Sequence, residues 1–229
     1  MTDPAVPIPS GPPPVVPFPD RRAAGRLLAA RLGFVTGLGS PGAAIVLALP
    51  RGGVPVAAEI AARLSVPFDV LVTRKIGYPP QPELGVGAIA EGGEPVFDER
   101  MLSALRLRAS DLAFGVDRER EEVARRVRVY RSGRPLPDLT DRTVVLADDG
   151  LATGVTARAA AQAVRAAGAV RIVLAVPVAS PGAVEALQAE TDEVVTLVTP
   201  RRFRSVGEWY ASFGQLSDAD VLALLNPGG

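Results

Sequence analysis

Five apolar runs, AIVLALP, FDVLVTRK, TVVLADD, RIVLAVPV and EVVTLV, are separated by segments that repeat Leu and Ala at helical spacing. A run that is apolar at nearly every position suits a strand buried on both faces, and such strands belong to parallel sheets covered by helices on both sides. The alternation predicts an α/β fold: a mostly parallel, twisted sheet with helices on both faces. DRRAAGRLLAARLGF, from Asp20 as N-cap, reads as a first helix. Further helices are expected at Val54–Leu64, in MLSALRL and DREREEVARRVRVY, at Thr156–Ala167 and at Pro181–Gln188. SDADVLALL reads as a terminal helix capped by Ser217. After the strand Phe68–Lys75 a long Gly/Pro-bearing loop is expected, and GVGAIAEGGEPVFD then reads as a hairpin around Gly92-Gly93.

At 229 residues and 48% hydrophobic, the chain can bury one sizeable core. DPAVPIPSGPPPVVPFP is too rich in proline for helix or sheet, so residues 1–19 are expected to form a disordered, polyproline-like tail ahead of one domain, 20–229. The formal net charge of zero gives no general reason to expect nucleic acid or a membrane surface as a partner. No apolar run approaches the ~20 residues that span a bilayer and no signal-like pattern opens the chain, so a cytoplasmic protein is expected. The sequence contains neither Cys nor His. This excludes disulfides, thiolate nucleophiles, the usual zinc ligands and Ser-His or Cys-His pairs, leaving carboxylates, Lys/Arg, hydroxyls, backbone amides and a hard metal ion.

The run VVLADDGLATGVT (144–156) drives a strand into two adjacent carboxylates and then into a loop almost without side chains. In parallel sheets, ligands bind where strands end and loops leave for helices. Small loop residues let backbone N–H groups approach an anion, and the following helix N-terminus adds partial positive charge. The loop Gly150–Thr156, with hydroxyls on Thr153 and Thr156, therefore suits a phosphate. Asp148 and Asp149 suit vicinal hydroxyls, and together they would grip a ribose 5-phosphate by both ends. Two plainer readings are a turn with one capping aspartate, which leaves Asp148 unexplained, and a receiver-type acidic pocket, whose paired aspartates stand near the start of a chain.

This stretch closely resembles the 5-phosphoribosyl-1-pyrophosphate (PRPP) signature of type I phosphoribosyltransferases, and the resemblance extends over about Phe18 to Leu225. ALPRGGVPVA is similar to the family's pyrophosphate loop, with Arg51 and Gly52 around a non-proline cis peptide. TRKIGYPPQPELGVGAIAEGG resembles the strand end and mobile lid, where Arg74 and Lys75 would meet pyrophosphate. The wording is most similar to a stand-alone bacterial branch without a settled acceptor. The resemblance implies a β-hairpin lid over about 76–97 and a small hood over about 200–229. It also implies a PRPP site formed by Arg51, Gly52, Gly53, Arg74, Lys75, Asp148, Asp149, Gly150, Leu151, Ala152, Thr153, Gly154, Val155 and Thr156.

Ala152 stands where hypoxanthine-guanine enzymes carry a loop acid, whereas LATG is similar to adenine enzymes. Any general acid or base must then come from elsewhere, with Glu83 and Glu91 of the lid as candidates beside the catalytic pair Asp148 and Asp149. In the hood, RRFRSVGEWYASFG concentrates aromatics; Trp209 is expected to be structural, and Phe203 or Tyr210 to approach the acceptor. The implied activity is a Mg2+-dependent transfer of the phosphoribosyl group to a nitrogenous base or amine with release of pyrophosphate. Mg2+ would reach Asp148 and Asp149 mainly through water, and a homodimer is implied. A PRPP-sensing regulator of the same fold without turnover stays open as an alternative.

Overall fold

The structure, a computed structural model, describes residues 16–33 and 43–226. Most of the expected proline-rich tail lies outside the described residues. Phe18, at its end, is fully buried and bridges to Tyr210, so the packed body begins ahead of Asp20. Burying such a ring contributes about 1.5–3 kcal/mol.

Helix α1 (Arg21–Leu32) opens as expected: the Asp20 carboxylate accepts from the Ala23 N–H at 2.7 Å. The chain continues through β1 (Ala44–Ala48), α2 (Gly53–Leu64), β2 (Phe68–Val70), β3 (Thr73–Tyr78), β4 (Gln81–Ala90) and β5 (Val96–Phe97). Then come α3 (Glu99–Leu105), α4 (Ala113–Arg131), β6 (Thr143–Ala147), α5 (Val155–Ala166), β7 (Arg171–Val178), α6 (Pro181–Gln188), β8 (Glu193–Val198) and α7 (Asp218–Leu225). The main sheet has five strands in the order β2-β1-β6-β7-β8, all parallel.

Alternate residues of its strands feed two cores, because successive side chains of a strand point to opposite faces. Ile45, Leu47, Val144, Leu146, Ile172 and Leu174 pack with residues of α5 and α6. Val46, Ala48, Val145, Ala147, Val173 and Ala175 pack with residues of α1, α2 and α4. Both faces are covered, as the unbroken apolar runs imply. No helix among the described residues is long and apolar enough to cross a membrane.

The region after Phe68 departs from expectation. The single strand Phe68–Lys75 is two: β2 joins the main sheet, and β3 starts a separate antiparallel sheet in the order β3-β4-β5. Most of the expected Gly/Pro loop is strand, the end of β3 and the start of β4, which pair and turn at Pro79-Pro80 between Tyr78 and Gln81. The prolines mark the hairpin tip, where shifts of register beside Gly77 interrupt the ladder and a missing N–H costs little. The hairpin around Gly92-Gly93 is present, with Gly87 opposite Phe97 and Ala88 opposite Val96.

Candidate active site

β1 and β6 run side by side to a common end, with Ala48 opposite Ala147. From there the order departs in opposite directions, to β2 on one side and to β7 and β8 on the other. Such a switch in strand order opens a crevice at the carboxyl ends of the strands. The loops after both strands meet in it. The Leu49 N–H donates to the Ala147 carbonyl at 2.9 Å, and the Gly53 N–H donates to the Leu49 carbonyl at 3.0 Å. The cis peptide of this loop joins Pro50 to Arg51. A Cβ on Gly52 would fall 2.1 Å from Asp149 Oδ2, so only glycine lets the loop lie against the acidic pair.

The two carboxylates have different surroundings. Asp148 borders a cleft of about 490 Å3, and its Oδ1 accepts from the Asp149 N–H at 2.8 Å. Burial first, and then the charge of Asp149, hold its carboxyl well above the usual carboxylate range against the pull of Lys75 and Arg21. Asp149 is also raised by burial, but Arg21 opposes this directly: its Nε donates to Asp149 Oδ2 at 2.7 Å. The Tyr210 hydroxyl donates to the Asp149 carbonyl at 2.5 Å.

The expected basic pair, Arg74 and Lys75, lines the same cleft, together with Glu83 and Thr156. Arg74 is already held by Glu119 of α4 at 2.8 Å, and the other oxygen of that buried carboxylate accepts from Arg118 at 2.8 Å. Arg51 lies beside Asp218, the first residue of α7, at 3.7 Å. Glu91 takes no part in the cleft: its carboxylate pairs with the buried Arg131. An anchored ion-pair partner of this kind is not placed as a general acid or base, which leaves Glu83 of the two lid candidates.

Gly154 caps α5 with a left-handed φ of +77°, and no side chain takes the first N–H groups of that helix. Those orphan donors and the helix dipole suit an anion. Leu151, expected among the phosphate contacts, is turned inward: its N–H donates to Val178 and its carbonyl accepts from Ser180, both at 2.9 Å. Gly150 is packed so closely that a Cβ would meet Val206 Cγ1 at 2.6 Å. Ala152, Thr153, Gly154 and Val155 line a further hollow of about 610 Å3 toward α6.

A Cβ on Gly154 would meet Leu187 Cδ1 of α6 at 2.9 Å. The demand for glycine here is thus set by φ and by packing behind the loop. Gly154→Val is expected to lower stability by about 2 kcal/mol or more, from left-handed strain plus overpacking. Urea unfolding checks this, and a variant as stable as the parent refutes it.

In the hood, Tyr210 is buried, stacked on Phe213 at 5.0 Å and tilted on Phe18 at 5.5 Å. Its ring is therefore not free to stack on an acceptor, contrary to expectation. Phe203 and Trp209 are partly buried against the same small cluster, which matches a structural Trp209 and moves Phe203 out of the cleft lining as well. Sequence reasoning also missed Arg21, Arg118, Glu119 and Asp218. Arg21 stands 128 residues from Asp149, and nothing local to RRAAGR signals the pairing.

A family model described as the phosphoribosyl transferase domain matches residues 42–208. The chain belongs to the phosphoribosyltransferase family. Two strains of Mycobacterium tuberculosis carry relatives, provisionally named phosphoribosyl transferases, that are 46% identical over 91% of this chain. The chain spans about half the length of these curated relatives, 46% in each case. The structure of TT1426 from Thermus thermophilus is 46% identical, covers 91% of this chain and 97% of its own, and superposes with a TM-score of 0.73. AQ2163 from Aquifex aeolicus, at 11% identity and a TM-score of 0.51 over 82% of this chain and 78% of its own, shares the fold.

The donor set of the site also bears on a metal. Among the described residues no three His, Cys, Asp or Glu side chains converge into a cage. The half-buried Asp148 has no counter-ion in direct contact among the described residues, which fits a hard cation held mainly by ligand oxygens and water.

Proposed function

We propose that the protein transfers the 5-phosphoribosyl group of PRPP to a nitrogen of a base or amine, with Mg2+, releasing pyrophosphate. The observation that carries this reading is the packing of the Arg51-Gly52 loop against the acidic pair at the β1/β6 switch point. In this reading the cleft supplies donors for pyrophosphate and acceptors for ribose hydroxyls, and the N-terminus of α5, reached from the cleft at Thr156, takes the 5-phosphate.

In this reading Asp148 accepts from the ribose hydroxyls and faces the positive charge that develops on the sugar as the glycosidic C–O bond breaks. Thr153, Thr156 and the first N–H groups of α5 hold the 5-phosphate. Arg51, Arg74 and Lys75 orient the pyrophosphate, Arg74 by exchanging Glu119 for it. Asp148 would hold the water ligands of Mg2+, which when bound would supply positive charge against the leaving pyrophosphate. The lid formed by β3 and β4 excludes water that would otherwise hydrolyse PRPP. Such a reaction needs positioning and charge management, which suits a chain without Cys or His.

Pyrophosphate release from PRPP, assayed over a panel of bases and amines, tests the proposal. Release should depend on one class of acceptor and fall at least about tenfold in Arg51→Ala, which loses a charge-assisted contact. Tight PRPP binding without release for any acceptor overturns turnover in favour of a sensing role.

A further inference from the structure

The two aspartates of the signature are placed for different tasks. Asp148 borders the cleft, whereas Asp149 does not. Asp149 Oδ2 is pinned between Gly52 and Arg21, at 2.7 Å from Arg21 Nε. Arg21 is itself fixed: its guanidinium lies 3.8 Å from the Phe213 ring centroid, and Nη1 donates to the Gly214 carbonyl at 2.9 Å. The Asp149 carbonyl is taken by Tyr210 at 2.5 Å, and Tyr210 stacks on Phe213. Two backbone bonds of 2.8 Å, from the Phe18 N–H to Trp209 and from the Ala211 N–H to Phe18, lace the first described segment to the hood. Both side chains of the Arg21–Asp149 pair are nearly buried, at 11% and 13% exposure, so solvent screens them little.

We infer that Arg21 is a positioning residue which, through Asp149, couples the hood to the ribose end of the site. Arg21 supplies the counter-charge that lets Asp149 stand beside Asp148 without being pushed away. It thereby holds the acidic dipeptide in the orientation that aims Asp148 at the ribose, and it ties that orientation to the docking of 18–19 and 209–214. Filling the ribose end is then felt in the hood, whereas pyrophosphate is oriented by Arg51, Arg74 and Lys75, none of which is paired with Arg21 or Asp149, and leaves it undisturbed. The inference rests on the PRPP reading of the crevice.

Calorimetric titration of the full chain and of Arg21→Met and Arg21→Lys with ribose 5-phosphate, and separately with pyrophosphate, tests it. Arg21→Met should lose about tenfold or more in ribose 5-phosphate affinity, because Asp148 is no longer held in its aim, with pyrophosphate affinity unchanged. Arg21→Lys, which keeps the charge but not the planar stack, should recover most of the loss. Unchanged or tighter ribose 5-phosphate binding in Arg21→Met, or equal losses for both ligands, overturns the inference. If Arg21→Met does not fold, the unaltered protein still decides. Trp209, the only tryptophan, should change emission with ribose 5-phosphate and not with pyrophosphate, and a silent Trp209 overturns the coupling. A parent that binds neither ligand sinks the PRPP reading itself; one that binds both, with Arg21→Met indistinguishable from it, sinks only the role of Arg21.

Discussion

Asp148→Asn is expected to abolish tight PRPP binding while making the folded protein more stable. The carboxylate is set where burial and the Asp149 charge both disfavour its ionised form. Its pKa is higher in the fold than in the unfolded chain. The stabilising effect of that shift is therefore complete below the ordinary carboxylate pKa and is lost as pH rises through the folded value. Above the ordinary carboxylate pKa the buried acid is a cost to the fold, and asparagine removes it while keeping shape and one acceptor.

A gain of about 2–4 °C in Tm corresponds to ~1 kcal/mol in a chain of this size. The gain should grow as pH is raised from about 4. Other acids act in the opposite sense: hydrogen bonding by Arg125 holds the Glu122 carboxyl down at about 2, and Tyr130 lowers Asp218. Their contribution is lost as pH falls, so the comparison must be between variant and parent at each pH. Binding should move the other way. Two hydroxyl contacts to a charged acceptor, each worth ~1.5–3 kcal/mol, imply a loss of about 100-fold or more in PRPP affinity. Melting curves across pH and titration with Mg-PRPP check both halves. A variant that loses binding and also melts lower would show that the carboxylate is structural.

Apart from β2, which the apolar run merged with β3, the strands of the main sheet were legible because each carries its whole signal locally. RIVLAVPV, EVVTLV and the helix from Pro181 to Gln188 occupy the expected residues. Burial on both faces writes itself into consecutive residues, and Ser or Asp at a helix start is a local choice. The lid was less legible, since Gly and Pro mark a loop and a tight hairpin tip equally well. Tyr78–Gln81 closes the hairpin only because β4 has β3 to pair with.

In the site, Asp148, Thr156, Arg74 and Lys75 border one cleft, as their motifs imply. Motifs say nothing of a side chain's competing partner. Glu119 lies 45 residues beyond the Arg74 it holds, and Tyr210 lies 61 beyond the Asp149 carbonyl it caps. An aromatic in a terminal segment reads alike whether it will face a ligand or lock the segment down. Here the hydroxyl of Tyr210 decides, because its partner is backbone inside the fold.

The same logic makes Glu91 the site of the largest expected loss of stability. Arg131, at the end of α4, is 1% exposed and donates from Nη1 to the Val70 carbonyl at 3.2 Å and from Nη2 to Glu91. Glu91 follows the last residue of β4, and its own N–H donates to the Val72 carbonyl at 2.8 Å. The pair thus ties α4, the end of β2 and the end of β4 together. Glu91→Gln takes away the carboxylate paired with the guanidinium, leaving it only the charge of Asp69, in a place where burial already pushes its pKa down. Breaking one side of a buried pair costs about 3–5 kcal/mol. Arg131→Met should cost a similar amount, through the orphaned Glu91.

Glu91→Met combined with Arg131→Met removes both charges and should be far less damaging than the sum of the single losses. Unfolding of the parent and these variants measures that coupling directly. Additive losses would mean the two groups act separately. Single-turnover rates then separate structure from chemistry. A folded Glu91→Gln should keep the parent's rate with saturating PRPP and acceptor within a few-fold, since Glu91 faces Arg131 and not the cleft. A stable Glu91→Gln protein with no turnover would restore Glu91 as the acid or base and remove the anchor role argued for it.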